Sequence, residues 1–111
     1  MHLKKIIDAD LTGFLKLCNE HDVKSLYAFG SSATGNFNED TSDIDLLVEL
    51  ATPDPIERGE NLMDLWEKFE HFFNRKVDLL TSTSIRNSIL RTNIETTKIF
   101  IYDGQRQKVS V

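Results

Sequence analysis

Asp43 and Asp45 stand two residues apart in the run Ser42-Asp43-Ile44-Asp45-Leu46-Leu47-Val48. In an extended strand, side chains two apart share a face. Both carboxylates therefore point one way, and Ile44 points the other way, toward a core. Two carboxylates this close repel each other unless a cation or a proton intervenes, which suits a metal site at the head of a buried strand. A third carboxylate, Asp78, lies between Val77 and Leu79 in a second apolar run. A buried acid there needs a partner. A salt bridge to an arginine would serve, and so would a place as third ligand beside Asp43 and Asp45. The aspartate pair favours the ligand.

Upstream, Gly30-Ser31 directly follows the apolar run Leu26-Tyr27-Ala28-Phe29. Glycine lets the backbone turn tightly or approach a ligand. A serine hydroxyl can donate to a phosphate oxygen or cap a helix. A short helix from about Ser32 would aim free N–H groups at the same place. The spacing is not that of a P-loop, which ends in Gly-Lys-Ser or Gly-Lys-Thr. Three carboxylates around two divalent cations suit phosphoryl or nucleotidyl transfer, and magnesium takes oxygen ligands while sharing its shell with phosphates. In that scheme Asp43 and Asp45 hold both ions. Asp78 holds the ion that activates the acceptor, or removes the acceptor's proton. Gly30 and Ser31 hold the distal phosphates, and pyrophosphate leaves. No serine-histidine-aspartate order for covalent catalysis is evident.

These residues need strands and helices around them. Leu3, Ile6, Ile7, Leu11, Phe14, Leu15 and Cys18 recur at helical spacing, predicting a helix from Leu3 to about Glu20, with a break near Asp10 to Gly13 as the alternative. Val23 to Phe29 reads as the first strand. Gly35 ends the short helix or opens the loop, and Asn36 to Thr41 reads as solvated connection. Asp43 to Leu50 is the second strand, apolar enough around Leu46-Leu47-Val48 to be covered on both faces. Asp54 as N-cap, Pro55 at the first helical position and Glu57 three residues after the cap start a long helix. Ile56, Leu62, Leu65, Trp66, Phe69, Phe72 and Phe73 form its apolar stripe, and His71 reads as a surface or packing residue. Arg75 to Leu80 is the third strand. Ile85 to about Glu95 is another helix, Ile99 to Tyr102 a short strand, Asp103-Gly104 a turn, and Gln105 to Val111 a polar or frayed tail. Helices and strands alternate, as in an α/β (α+β) protein.

The chain has 111 residues, which supports one domain over 1–111, with 40% hydrophobic residues for one modest core. Its net charge of -5 argues against strong direct nucleic-acid binding, which needs a surplus of Lys and Arg. A nucleotide is not excluded, because metal ions supply positive charge locally. Cys18 is the only cysteine, which excludes an internal disulfide and a four-cysteine zinc site. It reads as a packing residue. No run approaches the roughly 20 apolar residues of a membrane span, and no signal core precedes Asp8 and Asp10. The expectation is a cytoplasmic protein without membrane contact.

Gly30-Ser31-Ser32-Ala33-Thr34-Gly35, then Asp43-Ile44-Asp45, then Asp78 on a later strand together resemble the DNA polymerase beta-like nucleotidyltransferase superfamily. The pattern is most similar to its small stand-alone minimal nucleotidyltransferases. The resemblance covers nearly the whole chain. It implies a polymerase beta-like nucleotidyltransferase fold, a small mixed β-sheet flanked by helices. It implies Mg2+ and ATP as cofactor and substrate, with Asp43, Asp45 and Asp78 as catalytic metal ligands. It also implies a separate all-helical partner of the HEPN class, typically an RNase toxin to which the nucleotidyltransferase is the antitoxin. Some such antitoxins transfer AMP from ATP onto a toxin tyrosine, and others neutralise chiefly by binding. A small-molecule transferase, for example of an aminoglycoside, is a further reading, and would need an acceptor pocket from a second domain or a homo-oligomer. Two departures stand out. Ser32 through Ser42 separate Ser31 from Asp43, one residue more than the usual spacing, and Ser32 and Thr34 occupy turn positions where many relatives carry arginine.

Overall fold

The computed structural model describes residues 2–34 and 43–109. The elements run α1 (His2–Ala9), α2 (Leu11–Glu20), β1 (Val23–Ala28), α3 (Ser31–Thr34), β2 (Ile44–Leu50), α4 (Pro55–Phe73), β3 (Val77–Leu80), a 3₁₀ turn (Ser82–Ser84), α5 (Ser88–Thr97), β4 (Ile99–Asp103) and β5 (Lys108–Val109). The strands form one mixed sheet in the order β3-β2-β1-β4-β5. Only β2 and β3 pair in parallel, joined by the α4 crossover; the other neighbours are antiparallel. This is the small mixed sheet with helices that the resemblance implies. The expected Gly35 and Asn36 to Thr41 features lie outside the described residues.

One sheet face carries the main core. Leu26 and Ala28 of β1, Ile44, Leu46 and Val48 of β2, and Val77 and Leu79 of β3 pack with Ile7, Phe14, Cys18, Leu65 and Phe69 from α1, α2 and α4. Phe14 is the hub. Its ring stacks 6.0 Å from Phe69, lies 5.6 Å from Phe72, and meets Phe73 and Tyr102 edge-on at 6.3 and 6.4 Å. Cys18 is fully buried there, and burial pushes its thiol up to about 12, as a packing residue requires. The opposite face holds a smaller cluster, Phe29, Ile85 and Ile94 with Leu47, Leu80 and Leu90. Both faces around Leu46-Leu47-Val48 therefore carry apolar contacts. A polar network ties the end of α2 to α4: the His21 ring lies 2.6 Å from Asp64, and Asn61 donates to the His21 carbonyl at 2.6 Å.

Several boundaries differ from the periodicity, β3 beginning at Val77 and not Arg75 among them. The N-terminal helix breaks at Asp10, whose carboxylate accepts the Gly13 N–H at 3.0 Å and caps a second helix. The apolar spacing runs on through the break because α2 returns its apolar residues to the same core. The later helix starts at Ser88, not Ile85, because the Asn87 side chain accepts from the amides of Ile89 and Leu90. Ile85 is left in the connection, buried beneath α5. The tail is not all frayed: Lys108 and Val109 pair back onto Asp103 and Tyr102 as β5. Asp54 caps α4 as expected, accepting from Ile56, and Asn74 ends it in the left-handed region at φ 53°. No helix among the described residues is long and apolar enough to cross a membrane.

Replacing the hub is expected to be severe. Phe14→Ala should cost about 3–5 kcal/mol in urea or guanidinium unfolding. Ile56→Ala, at a site 74% exposed, should stay within about 0.5 kcal/mol. Equal effects would contradict the assignment of the core.

Candidate active site

The site begins with strand register. Ile44, Leu46, Val48 and Leu50 must enter the core, and so must Val77 and Leu79. Alternation then puts Asp45 and Asp78 on the opposite face. Parallel pairing sets them side by side, Ile44 against Val77, Asp45 against Asp78 and Leu46 against Leu79. Helix α4 secures the edge strand. Trp66 Nε1 donates to the Val77 carbonyl at 2.6 Å, and Glu70 accepts the Val77 N–H at 3.0 Å. Two residues one helical turn apart thus satisfy both backbone groups next to Asp78. Asp43 lies just before β2, half-buried, with Lys76 Nζ 3.9 Å from its Oδ2.

Electrostatically, Asp45 is the focus. Its carboxyl is pushed up to about 6, first by burial, then by the charges of Asp78 and Asp43 and by a hydrogen bond with Asp78. The three acids therefore share one electrostatic site.

The Gly30 turn closes against Asp45. Gly30 adopts φ +60°, and a Cβ there would lie 3.0 Å from Asp45 Oδ2 and 4.0 Å from Asn93 Oδ1. Both the left-handed backbone and the close approach call for glycine. Phe29 N–H donates to the Asp45 carbonyl at 3.1 Å. The helix that follows opens at Ser31, one residue earlier than expected, so Ser31 stands half-buried at its first position. Gly30 is thus brought against the Asp45 carboxylate, with Ser31 next to it in the chain.

Other residues hold this turn: Ser32, which the sequence marks only as a helix start and a departure from the family turn, and Thr97, which sequence reasoning did not single out. Ser32 is buried, and its Oγ accepts the Asp45 N–H at 3.0 Å. The Gly30 N–H donates to Thr97 Oγ1 at 2.9 Å. Neither hydroxyl carries a sequence signal, because each partner is remote along the chain.

Among the described residues, no three His, Cys, Asp or Glu side chains already converge as a finished metal shell. The donor chemistry still fits a hard divalent cation. The groups are all carboxylate oxygens, and two of them stand abreast and repel. Asp43, Asp45 and Asp78 would hold such an ion.

A profile for a nucleotidyltransferase domain matches residues 11–102. The chain belongs to this nucleotidyltransferase family. The match takes in the Gly30 turn and all three acids. A protein of Methanocaldococcus jannaschii provisionally named protein adenylyltransferase MJ1379 is 38% identical over 85 residues, covering 77% of this chain and 83% of that one. A solved structure provisionally described as a minimal nucleotidyltransferase superposes with TM-score 0.65 at 26% identity, covering 86% of this chain and 92% of the other. A toxin-antitoxin crystal structure with AMP-PNP gives TM-score 0.62 at 25% identity, over 87% of this chain and 76% of the matched chain. The family that the sequence resembles is thus the one that the chain belongs to, and the fold is that of minimal nucleotidyltransferases.

Two outcomes follow for the isolated protein. Ser32→Ala leaves the Asp45 amide without its acceptor and should lower stability by about 1–3 kcal/mol in chemical denaturation. The raised Asp45 carboxyl means that the folded state binds the proton more tightly than the unfolded chain. Its ionisation therefore costs stability, fully above about pH 6 and not at all below the unstrained value of 3.8. Without divalent ions, Asp45→Asn should melt higher than the parent at pH 7.5. That advantage should shrink as pH falls through this window. An advantage that grows toward low pH would contradict the assignment.

Proposed function

We propose that this nucleotidyltransferase is a magnesium-dependent protein adenylyltransferase. It transfers AMP from ATP to a tyrosine hydroxyl of a helical HEPN-class toxin and thereby acts as its antitoxin. The observation that carries the proposal is Asp45 and Asp78 abreast on one sheet face with the Gly30 turn against Asp45, and the Asp43 charge acting on the same Asp45 carboxyl. The toxin-antitoxin neighbour with AMP-PNP and the adenylyltransferase name of the curated relative support the nucleotide and the class of acceptor.

Asp43, Asp45 and Asp78 would hold the divalent cations, two in this reading, which would supply positive charge against the phosphates and acidify the acceptor hydroxyl. The turn that Gly30 and Ser31 form would receive the distal phosphates. Asp78, on the edge strand, takes the acceptor's proton. The acceptor oxygen bonds to the α-phosphorus, the bond to the bridging oxygen breaks, and pyrophosphate departs.

The test is label transfer from α-labelled ATP to the co-purified partner. Transfer should require magnesium and stop with EDTA. Asp43→Asn with Asp45→Asn should reduce it by at least about 10²-fold, the scale of losing charge stabilisation in a transition state. No label on a verified partner with magnesium present would defeat the proposal.

A second reading, neutralisation by binding with little turnover, has one observation in its favour. The Ser32 hydroxyl is buried on the Asp45 amide, at a turn position where the resemblance implies an arginine. In that case the same double substitution leaves toxin neutralisation intact in a growth assay.

A further inference from the structure

Helix α5 bonds to the Gly30 turn through the Thr97 hydroxyl. The Thr97 hydroxyl uses both of its hydrogen-bonding capacities: it donates to the Asn93 carbonyl at 2.7 Å and accepts the Gly30 N–H at 2.9 Å. Bonding back to the preceding turn is ordinary for a helical threonine, and Thr92 and Thr96 do the same at 3.0 and 2.9 Å. Thr97 is set apart by its second bond, made to a residue 67 positions away.

We propose that Thr97 is a positioning residue of the nucleotide site, its hydroxyl setting the Gly30 turn against Asp45 so that the turn is preformed for a triphosphate. This rests on the nucleotidyl-transfer reading and adds a residue to it.

Three features make the clamp consequential. The turn has little room, since a Cβ on Gly30 would lie only 3.0 Å from Asp45 Oδ2, so a small shift of the turn is felt at the carboxylate. The other side of the turn is already held, with Phe29 N–H on the Asp45 carbonyl and Ser32 Oγ on the Asp45 amide. Thr97 closes the remaining side. Its own position is firm, because Ile94, one turn earlier, is buried against Phe29 and Ile85. The Lys98 N–H ends the helix on the Ile94 carbonyl at 2.8 Å, and Lys98 Nζ lies 5.0 Å from the centre of the Tyr27 ring. The hydroxyl thus transmits the seating of α5 to the turn. With its amide taken by Thr97, Gly30 shapes the turn instead of donating to a ligand.

The test compares Thr97→Val, which keeps the shape and removes the hydroxyl, with Thr97→Ser, which restores it. Three quantities are read on the full chain: Gly30 amide exchange by NMR, affinity for magnesium with a non-hydrolysable ATP analogue, and the thermal midpoint. Thr97→Val should speed Gly30 exchange and weaken nucleotide binding by about tenfold, the scale of one net hydrogen bond. Thr97→Ser should return both to within about twofold of the parent, a rescue that general destabilisation would not give. Parental affinity in a folded Thr97→Val overturns the proposal, even if Gly30 exchanges faster. So does weakened binding that Thr97→Ser fails to restore while its thermal midpoint is normal. A parent protein that binds no nucleotide defeats the transfer reading itself and this proposal with it, whereas loss confined to the valine variant leaves both standing.

Discussion

Asp45 and Asp78 are forced side by side on neighbouring parallel strands, half-buried and of like charge. Much of the structure follows from holding that arrangement. The acids cannot turn away, because a one-residue slip in either strand would send them into the core and bring Leu46 or Leu79 out. Hydrophobic burial on one face therefore sustains repulsion on the other. The raised Asp45 carboxyl is the local sign of that tension. Dispersed over the sheet, three acids would be ordinary surface charge. Gathered, they make a place where added positive charge or a proton is favoured.

Parallel pairing of β2 and β3 requires a crossover, and α4 supplies it. The helix does more than span the distance. Its Phe69 and Phe73 enter the core beside Phe14, and Trp66 and Glu70 take both backbone groups of Val77. An edge strand ordinarily offers unpaired amides and carbonyls to other chains. Here the helix that builds the core also quiets that edge at the residue next to Asp78. Stability and site geometry are therefore properties of one β2-α4-β3 unit.

The Gly30 turn shows how backbone needs are met beside a cluster of acids. Three amides, those of Phe29, Gly30 and Asp45, are satisfied by a carbonyl and two hydroxyls. A hydroxyl accepts from an amide without adding charge. Arginine at position 32 could not occupy the buried place of Ser32 without moving the turn.

What the sequence by itself determined were the elements with strong local signals and the chemistry of the acids. Asp54-Pro55 announces α4 through its own cap, the period-two apolar runs announce β2 and β3, and the Asp43-Ile44-Asp45 spacing places two carboxylates on one face. These depend on neighbours in the chain. The break at Asp10 was legible only as an alternative, because apolar periodicity is the same whether one helix or two supply it. The start of α5 hid behind Ile85, which is apolar for packing under the helix and not for being in it. Pairing of Lys108 and Val109 was hidden because two residues carry too little pattern. Only the tertiary structure decided that Asp78 stands abreast of Asp45, that Ser32 and Thr97 hold the turn, and that Trp66 and Glu70 secure β3. Each of these depends on distance in space between residues far apart in the chain, and no side-chain type or local spacing encodes it.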